Sequence, residues 1–302
     1  TCSGIGDAIP TVLTMTVVPI LGAGSSMADY KIGFKWWALI IAVVFVISEL
    51  VCVVCVPERP VACDEKPGKI SDMFKALFKN DQAMTVVVSI ILVYTSLNIC
   101  GNLVLYFFRF DVENEGAYSI FAAVAFAAQV LVMMVIPLLR KRFSKSQLFI
   151  SGFIIQIAGF AVILIMAFAK LYTPQSWYIL CLPGILIYLG YGMLNVIMTI
   201  FLSDSVDYGE VMNGTREESV IFSMQTFTVK LASGVAVFLA GLVVDWIHLD
   251  TAAAVQTQDT LDALRMWMTI PSVILLIVGI FVFKRFYKLD DTRMEEIKSK
   301  LN

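Results

Sequence analysis

The sequence has 302 residues, 59% of them hydrophobic and 15% charged, with a formal net charge of −2. A soluble domain carries about 25% charged residues, and no basic patch interleaved with aromatics offers a nucleic-acid surface. Mean hydropathy is +0.84, and apolar stretches of roughly 20 residues recur, each long enough to cross a ~30 Å hydrocarbon core, so the chain reads as an all-α polytopic membrane protein in a lipid bilayer.

The first residue is Thr1, and no positively charged leader precedes an apolar core. The sequence is expected to be the C-terminal portion of something longer. Eight spans are predicted, at 5–22, 36–56, 84–107, 118–139, 148–169, 177–203, 219–247 and 265–286. Within the first, GIGD at 4–7 matches the G-x-G-D of membrane aspartyl proteases. Those enzymes need a second aspartate after a tyrosine on a neighbouring helix. No Tyr-Asp dipeptide occurs here, and Asp7 falls near the membrane edge, so an intramembrane aspartyl protease is a remote alternative. No G-x-S-x-G elbow is present, and with His248 as the one histidine no His-ligated metal cluster can be built. Neither an enzyme nor a metal site nor a cofactor is expected.

In the second span Glu49 is an intramembrane carboxylate, a functional candidate unless it reaches interfacial water. Cys52 and Cys55 form a C-x-x-C inside an apolar run, without βαβ context, and read as small apolar core residues. The longest loop, 57–83, carries Pro57, Pro60 and Pro67, which resist helix continuation. Its end places Ile70, Met73, Phe74, Leu77 and Phe78 on one helical face, flanked by Lys69, Lys75 and Lys79. A short amphipathic helix on the cytoplasmic surface is expected there. Two spans precede this loop and six follow, the plan of transporters built from six-helix halves. The expected domains are the last two helices of an N-terminal half (1–56), a central loop (57–83), a complete six-helix C-terminal half (84–288) and a tail (289–302).

Loop charges set orientation. Sixteen of the 22 Lys and Arg residues fall on one side, in loops 57–83 and 140–147, at Arg216 and in the tail. Five fall on the other: Lys31, Lys35, Arg109, Lys170 and Arg265. Both termini are expected in the cytoplasm. In span three, Tyr94, Asn98 and Asn102 share a helical side, as cavity lining or as helix–helix hydrogen-bonding groups. Gln129 and Gln156 read as packing contacts.

The most informative stretch is FLSDSVDYGEVMNGTREESVIFSMQTFTVKLASG, residues 201–234. Asp204, Asp207 and Glu210 are spaced i, i+3, i+6, close to one helical face, at the cytoplasmic end of span six. NGT is a turn signal, and Thr215 with Glu218 makes a capping box for span seven. The sequon at Asn213 is placed on the cytoplasmic side and reads as unused. Ser219, Ser223, Thr226, Lys230 and Ser233 lie within about ±40° of one line on that span. Lys230 is roughly 17 Å deep at 1.5 Å per residue. A charge at the bilayer centre costs about 2.5–3.5 kcal/mol on insertion scales, so the stripe is expected to face a bundle interior or a wet cavity. Helix packing with Lys230 in a structural ion pair is the plainer reading.

DSVDYGEVMNGTREESVIFSMQTFTVKLASG closely resembles the glycoside–pentoside–hexuronide:cation symporters of the major facilitator superfamily, the melibiose permease-like group. In that family an Asp-x-Val-Asp-Tyr-Gly-Glu segment ends helix 10, and helix 11 carries a Gln-Thr pair and then a lysine. LVLYFFRFD (103–111) is similar to the outer end of the family's helix 7, KRFSKSQLF (141–149) to its 8–9 loop and FKRFYKLDD (283–291) to its tail. The resemblance runs from helix 5 to the C-terminus. It implies an incomplete major facilitator fold of about eight transmembrane helices in the cell (inner) membrane, expected as a monomer. It also implies symport of a sugar or glycoside with a coupling cation, Na+ or H+, by alternating access. By that resemblance Gln225 and Thr226 lie near the sugar, Lys230 lies beside sugar and cation sites, and Asp204, Asp207 and Glu210 form a cytoplasmic gate. Where the melibiose permease-like pattern has a pocket tryptophan on helix 10, this chain has Asn195, which leaves the sugar open. The family's cation-binding and main sugar-binding aspartates lie on helices that precede this sequence, so the chain is not expected to transport alone. Another major facilitator transporter, an exporter or a lipid or drug carrier, is the alternative.

Overall fold

The computed structural model describes residues 13–14, 16–24, 27–55, 78–214, 218–251, 253 and 255–301. Among them seven helices are long and apolar enough to cross a membrane. Half of the predicted span 5–22, the amphipathic segment 70–78 apart from Phe78, and the Thr215 half of the capping box lie outside the described residues. The chain divides into two compact units, Thr1–Gly68 and Lys69–Asn302.

In the first unit, α1 (Met27–Cys55) begins before its predicted start and carries Lys31 and Lys35 within its first turns. A helical stretch over 16–22 packs beside it. Gly33 makes the approach: a Cβ there would lie 2.1 Å from the Val18 carbonyl oxygen. Trp37 Nε1 donates to Thr14 Oγ1 at 2.8 Å. Glu49 is exposed on α1.

Among its described residues the second unit is a bundle of six spanning helices and one short helix. They are α2 (Asp81–Tyr106), α3 (Ala117–Leu139), α4 (Lys145–Phe168), α5 (Cys181–Asn213), α6 (Glu218–Trp246), α7 (Gln258–Phe286) and α8 (Asp291–Leu301). In lipid each backbone group must be satisfied within the chain, and side-chain caps do this at the helix starts. Asn80 accepts from the Ala83 amide at 2.9 Å, Ser144 and Gln147 form a capping box on α4, and Thr257 caps α7. Glycines bring α4 and α5 close, since a Cβ on Gly190 would lie 2.6 Å from the Gly152 carbonyl oxygen. Ser96 and Ser272 join α2 to α7, each hydroxyl donating to the other's carbonyl, at 3.1 and 2.8 Å. Phe149, Phe201 and Phe283 fill the centre between α4, α5 and α7, with ring centroids 4.5–5.2 Å apart.

Two boundaries differ from the sequence expectation for physical reasons. Span six, predicted to stop at 203, continues as α5 to Asn213, where Gly214 in the left-handed region (φ 73°) closes it by donating to the Glu210 carbonyl. The acidic segment is therefore helical. Span eight, predicted from 265, starts at Gln258, so Arg265 is inside α7 and only 2% exposed, not a loop charge.

What keeps Arg265 buried is a bidentate pair. Its Nε and Nη2 donate to Asp111 at 2.9 and 2.5 Å, and its Nη1 donates to Asp262 at 2.7 Å. Tyr172 completes the cluster, its hydroxyl donating to Asp111 at 2.6 Å. Burial and then the Asp111 charge push the Tyr172 phenol up, so it stays a donor. Asp111 ends a π-helical segment, Phe107–Asp111, continuous with α2, so one guanidinium ties α2, α7 and the α4–α5 connection at one end of the bundle. Asp111→Ala in the full-length protein is expected to cost about 3–5 kcal/mol, because it strands a buried guanidinium. Asp111→Ala with Arg265→Leu is expected to cost less than Asp111→Ala alone. Thermal unfolding in detergent checks the order.

Candidate functional site

Three helices bring polar side chains to one place in the middle of the second unit. Along α2, Tyr94, Asn98, Asn102 and Tyr106 recur every fourth residue, which stacks them on one line. The Nδ2 of Asn98 donates to the Tyr94 carbonyl and that of Asn102 to the Asn98 carbonyl, both at 2.7 Å. These back-bonds settle one donor of each amide inside the helix itself.

Along α5, Tyr191, Asn195 and Thr199 recur at the same spacing. Asn195 Nδ2 donates to Tyr94 Oη at 2.6 Å and approaches Tyr191 Oη at 3.5 Å. The two phenol rings meet edge to face with centroids 5.5 Å apart, an arrangement the ring quadrupoles favour. One turn on, Thr199 Oγ1 donates to the Asn195 carbonyl at 3.1 Å and receives Gln225 Nε2 from α6 at 3.4 Å. Tyr94, Asn195, Thr199 and Gln225 thus form a continuous polar set across α2, α5 and α6. Tyr191 and Thr199 were not foreseen from the sequence, although their four-residue offsets from Asn195 were visible.

The other α6 candidates have simpler surroundings. Thr226 is exposed and donates to the Phe222 carbonyl at 3.3 Å. Lys230 is exposed, one turn beyond Thr226, and among the described residues it has no hydrogen-bond or ion-pair partner. Glu49 belongs to the first unit.

At the end of the bundle that carries Lys145, the acidic residues divide. Asp204 is 5% exposed and pairs with Lys145, itself 5% exposed. Asp207 and Glu210 are half-buried. A step of three residues in a 3.6-residue turn drifts by about 60° each time, so the i, i+3, i+6 spacing turns Glu210 well away from Asp204. Lys145 is the first residue of α4, where the helix dipole disfavours a cation, and two carboxylates offset this. Asp291 of α8 lies 3.4 Å from Lys145 Nζ and 3.4 Å from Arg140 Nη2, and it also accepts from the Lys145 backbone amide. Burial pushes the Asp291 carboxyl up, but hydrogen bonding from Arg140 and the Lys145 and Arg140 charges outweigh it and hold the group below its ordinary value. Beneath them Tyr287 stacks on Phe283, and its buried hydroxyl has no partner among the described residues. Burial, then Asp204 and Asp291, push that phenol up. Asn80 completes the end, its Nδ2 donating to the Ser205 carbonyl at 2.8 Å. Gly209 makes room for it, since a Cβ there would lie 2.9 Å from that nitrogen.

A family model described as MFS/sugar transport protein matches residues 2–291. Similar curated proteins include the raffinose carrier protein of Pediococcus pentosaceus, 24% identical over 99% of this chain and 46% of its own length. The isoprimeverose transporter of Lactiplantibacillus pentosus is 24% identical over 95% of this chain and 58% of its own. The putative glycoside/cation symporter YagG of Escherichia coli is 22% identical over 96% and 60%. The chain spans about half the length of the curated relatives it matches.

Lys145→Ala is expected to cost about 3–5 kcal/mol by leaving Asp204 charged and buried. Lys145→Met with Asp204→Leu is expected to restore much of that loss. Unfolding midpoints of the full-length variants check both.

Proposed function

The chain belongs to the MFS/sugar transport protein family, and we propose on that premise that it is the C-terminal portion of a cation-coupled symporter of sugars or glycosides. The observation that carries the reading is the polar set Tyr94–Asn195–Thr199–Gln225. It spans three helices of the bundle, and Lys230 is exposed on the same α6 that carries Gln225. Polar groups within spans mark substrate or ion pathways. A sugar needs such a surface, because a site built to hydrogen-bond hydroxyls loses heavily when they are missing. The printed names of the raffinose, isoprimeverose and glycoside/cation relatives support the substrate class.

In this reading the segments place as follows. Residues 1–56 are the last two helices of the N-terminal half, 57–83 the central loop, 84–288 the C-terminal half and 289–302 the tail. The basic end, with Arg140, Lys145 and Lys288, faces the cytoplasm of the cell (inner) membrane, as do both termini, because Lys and Arg concentrate on the side that is not translocated. The Asp111–Arg265 end faces outward. Alternating access then rocks one half against the other around a site near the midplane.

Each residue takes a role by its chemistry. Gln225, Thr226 and Asn195 hydrogen-bond the sugar, with Tyr94 as an aromatic and hydroxyl neighbour. Asn98 and Asn102 line the cavity above. Lys230 answers both sites: an incoming Na+ or H+ takes the carboxylate partner that the lysine holds in the empty state. In this reading that partner is a carboxylate of the full-length protein. Asp204, Asp207 and Glu210 belong to the cytoplasmic gate, with Lys145 and Asp291 holding it from the same half. The working form is proposed as a monomer in the bilayer.

The test is uptake by the full-length protein in proteoliposomes, with raffinose and isoprimeverose as probes and either a Na+ or a proton gradient imposed. Gradient-driven accumulation of at least one sugar is expected. Asn195→Ala is expected to raise its KM by about tenfold or more, the loss of one to two hydrogen bonds, with protein yield unchanged. No accumulation of any sugar under either gradient overturns the reading.

A further inference from the structure

Between α2 and α6, at the Asp111–Arg265 end of the bundle, a half-open cleft of about 540 Å³ is lined by Asn102, Tyr106, Val237, Gly241 and Asp245. Its size falls within the ~300–1,000 Å³ of small-molecule sites, and it has the few convergent polar groups such sites use. We propose that this cleft is a second sugar-binding subsite, apart from the central polar set, where a sugar is held before it moves to the middle of the protein. The proposal rests on the transport reading above.

The chemistry of the lining points to a polyhydroxylated ring. Asp245 is exposed, and among the described residues its carboxylate has neither a hydrogen-bond nor an ion-pair partner. A carboxylate accepts from two hydroxyls at once. Asn102 donates along its own helix through Nδ2, which leaves its carbonyl oxygen as an acceptor. Tyr106 offers a hydroxyl that both donates and accepts, and an aromatic body. No basic side chain lines the cleft, so nothing there selects for an anion.

The glycines of α6 separate this cleft from an ordinary packing seam. Where helices in this unit pack on glycine, an added Cβ collides: it would fall 2.6 Å from Gly152's carbonyl at Gly190 and 2.7 Å from Ile187 at Gly159. At Gly241 and Gly234 a Cβ meets nothing within 4 Å. These positions are open space, not contact points among the described residues.

The helix faces that line the cleft also run on toward the central set. On α6, Lys230, Gly234, Gly241 and Asp245 follow one another at steps of four, seven and four residues, which keeps them on one face. On α2 the facing line is Tyr94, Asn98, Asn102 and Tyr106. One end of this track is Asp245 with Tyr106 in the cleft; toward the other end the α6 face carries Lys230 and the α2 face carries Tyr94, which bonds Asn195. At 1.5 Å per residue the track is roughly 18–22 Å long, enough to separate two bound sugars.

The test is equilibrium binding of radiolabelled raffinose and isoprimeverose to the full-length protein in detergent, over a wide sugar range. Wild type is expected to show two classes of site for the sugar it binds best. Asp245→Asn, an exchange of similar size at an exposed position, is expected to weaken one class by about tenfold or more and leave the other in place. Gly241→Leu adds bulk to the cleft at a position where a Cβ meets nothing within 4 Å, and it is expected to abolish that same class. Asn195→Ala is expected to weaken the other. The surviving class in each variant reports that the protein is folded. A single class in wild type, or two classes that Asp245→Asn and Gly241→Leu leave unchanged, overturns the subsite. Binding of neither sugar by wild type overturns the transport reading itself.

Discussion

Burying a charge in this bundle requires a partner of opposite charge, and two such pairs fix its ends. Lys145 with Asp204 closes one end; Arg265 with Asp111 closes the other. Each joins helices distant in sequence, over separations of 59 and 154 residues. Apolar packing in lipid supplies little that favours one helix register over the next, because the surrounding tails are as apolar as leucine. A buried ion pair does, since a shift of one turn strands both charges. The end pairs therefore set the register of α4 against α5 and of α2 against α7.

Between those ends the bundle holds neutral amides, phenols and hydroxyls, and a lysine. The amides are partly self-satisfied along their own helices, so the set is held without being saturated. That is the property a reversible sugar site needs: groups oriented in advance, with acceptors and donors to spare. Tyr94 is fixed from two sides, by the Asn195 amide and by the Tyr191 ring. Asn195 here carries out a positioning task within the protein, and under the proposed function its side-chain carbonyl also serves a ligand. The α8 tail belongs to the same design at the other level. Through Asp291 it touches both Lys145 and Arg140, so the tail and the α3–α4 connection are coupled to the acidic end of α5.

Much of this was legible in the amino-acid sequence, and the limits have physical causes. Hydrophobic length placed the spans α2 to α6 to within a few residues, apart from the far end of α5, because twenty apolar residues in a row have few other uses. The four-residue recurrence of Tyr94, Asn98 and Asn102 gave their common face. The acidic end of α5 was read as lying beyond the span, since hydropathy falls at Asp204 while the helix continues; a paired carboxylate does not break a helix. Arg265 was assigned to a loop for the same reason. Its burial depends on Asp111, which no local pattern reveals. The resemblance to sugar symporters rested on one specific stretch, residues 204–234, and the family match over residues 2–291 agrees with it. Lys230 has no hydrogen-bond or ion-pair partner among the described residues, and no local pattern in the sequence points to one.

The central claim is that Lys230 couples a cation to a sugar. It is tested most directly by Lys230→Ala in the full-length protein, with sugar affinity measured as Na+ concentration and pH are varied in turn. The account predicts that the cation which raises sugar affinity in the wild type loses that effect in the variant, or keeps only a small part of it, while sugar binding itself persists. A variant in which the cation still raises sugar affinity by the same factor as in wild type would contradict it and leave Lys230 a structural residue.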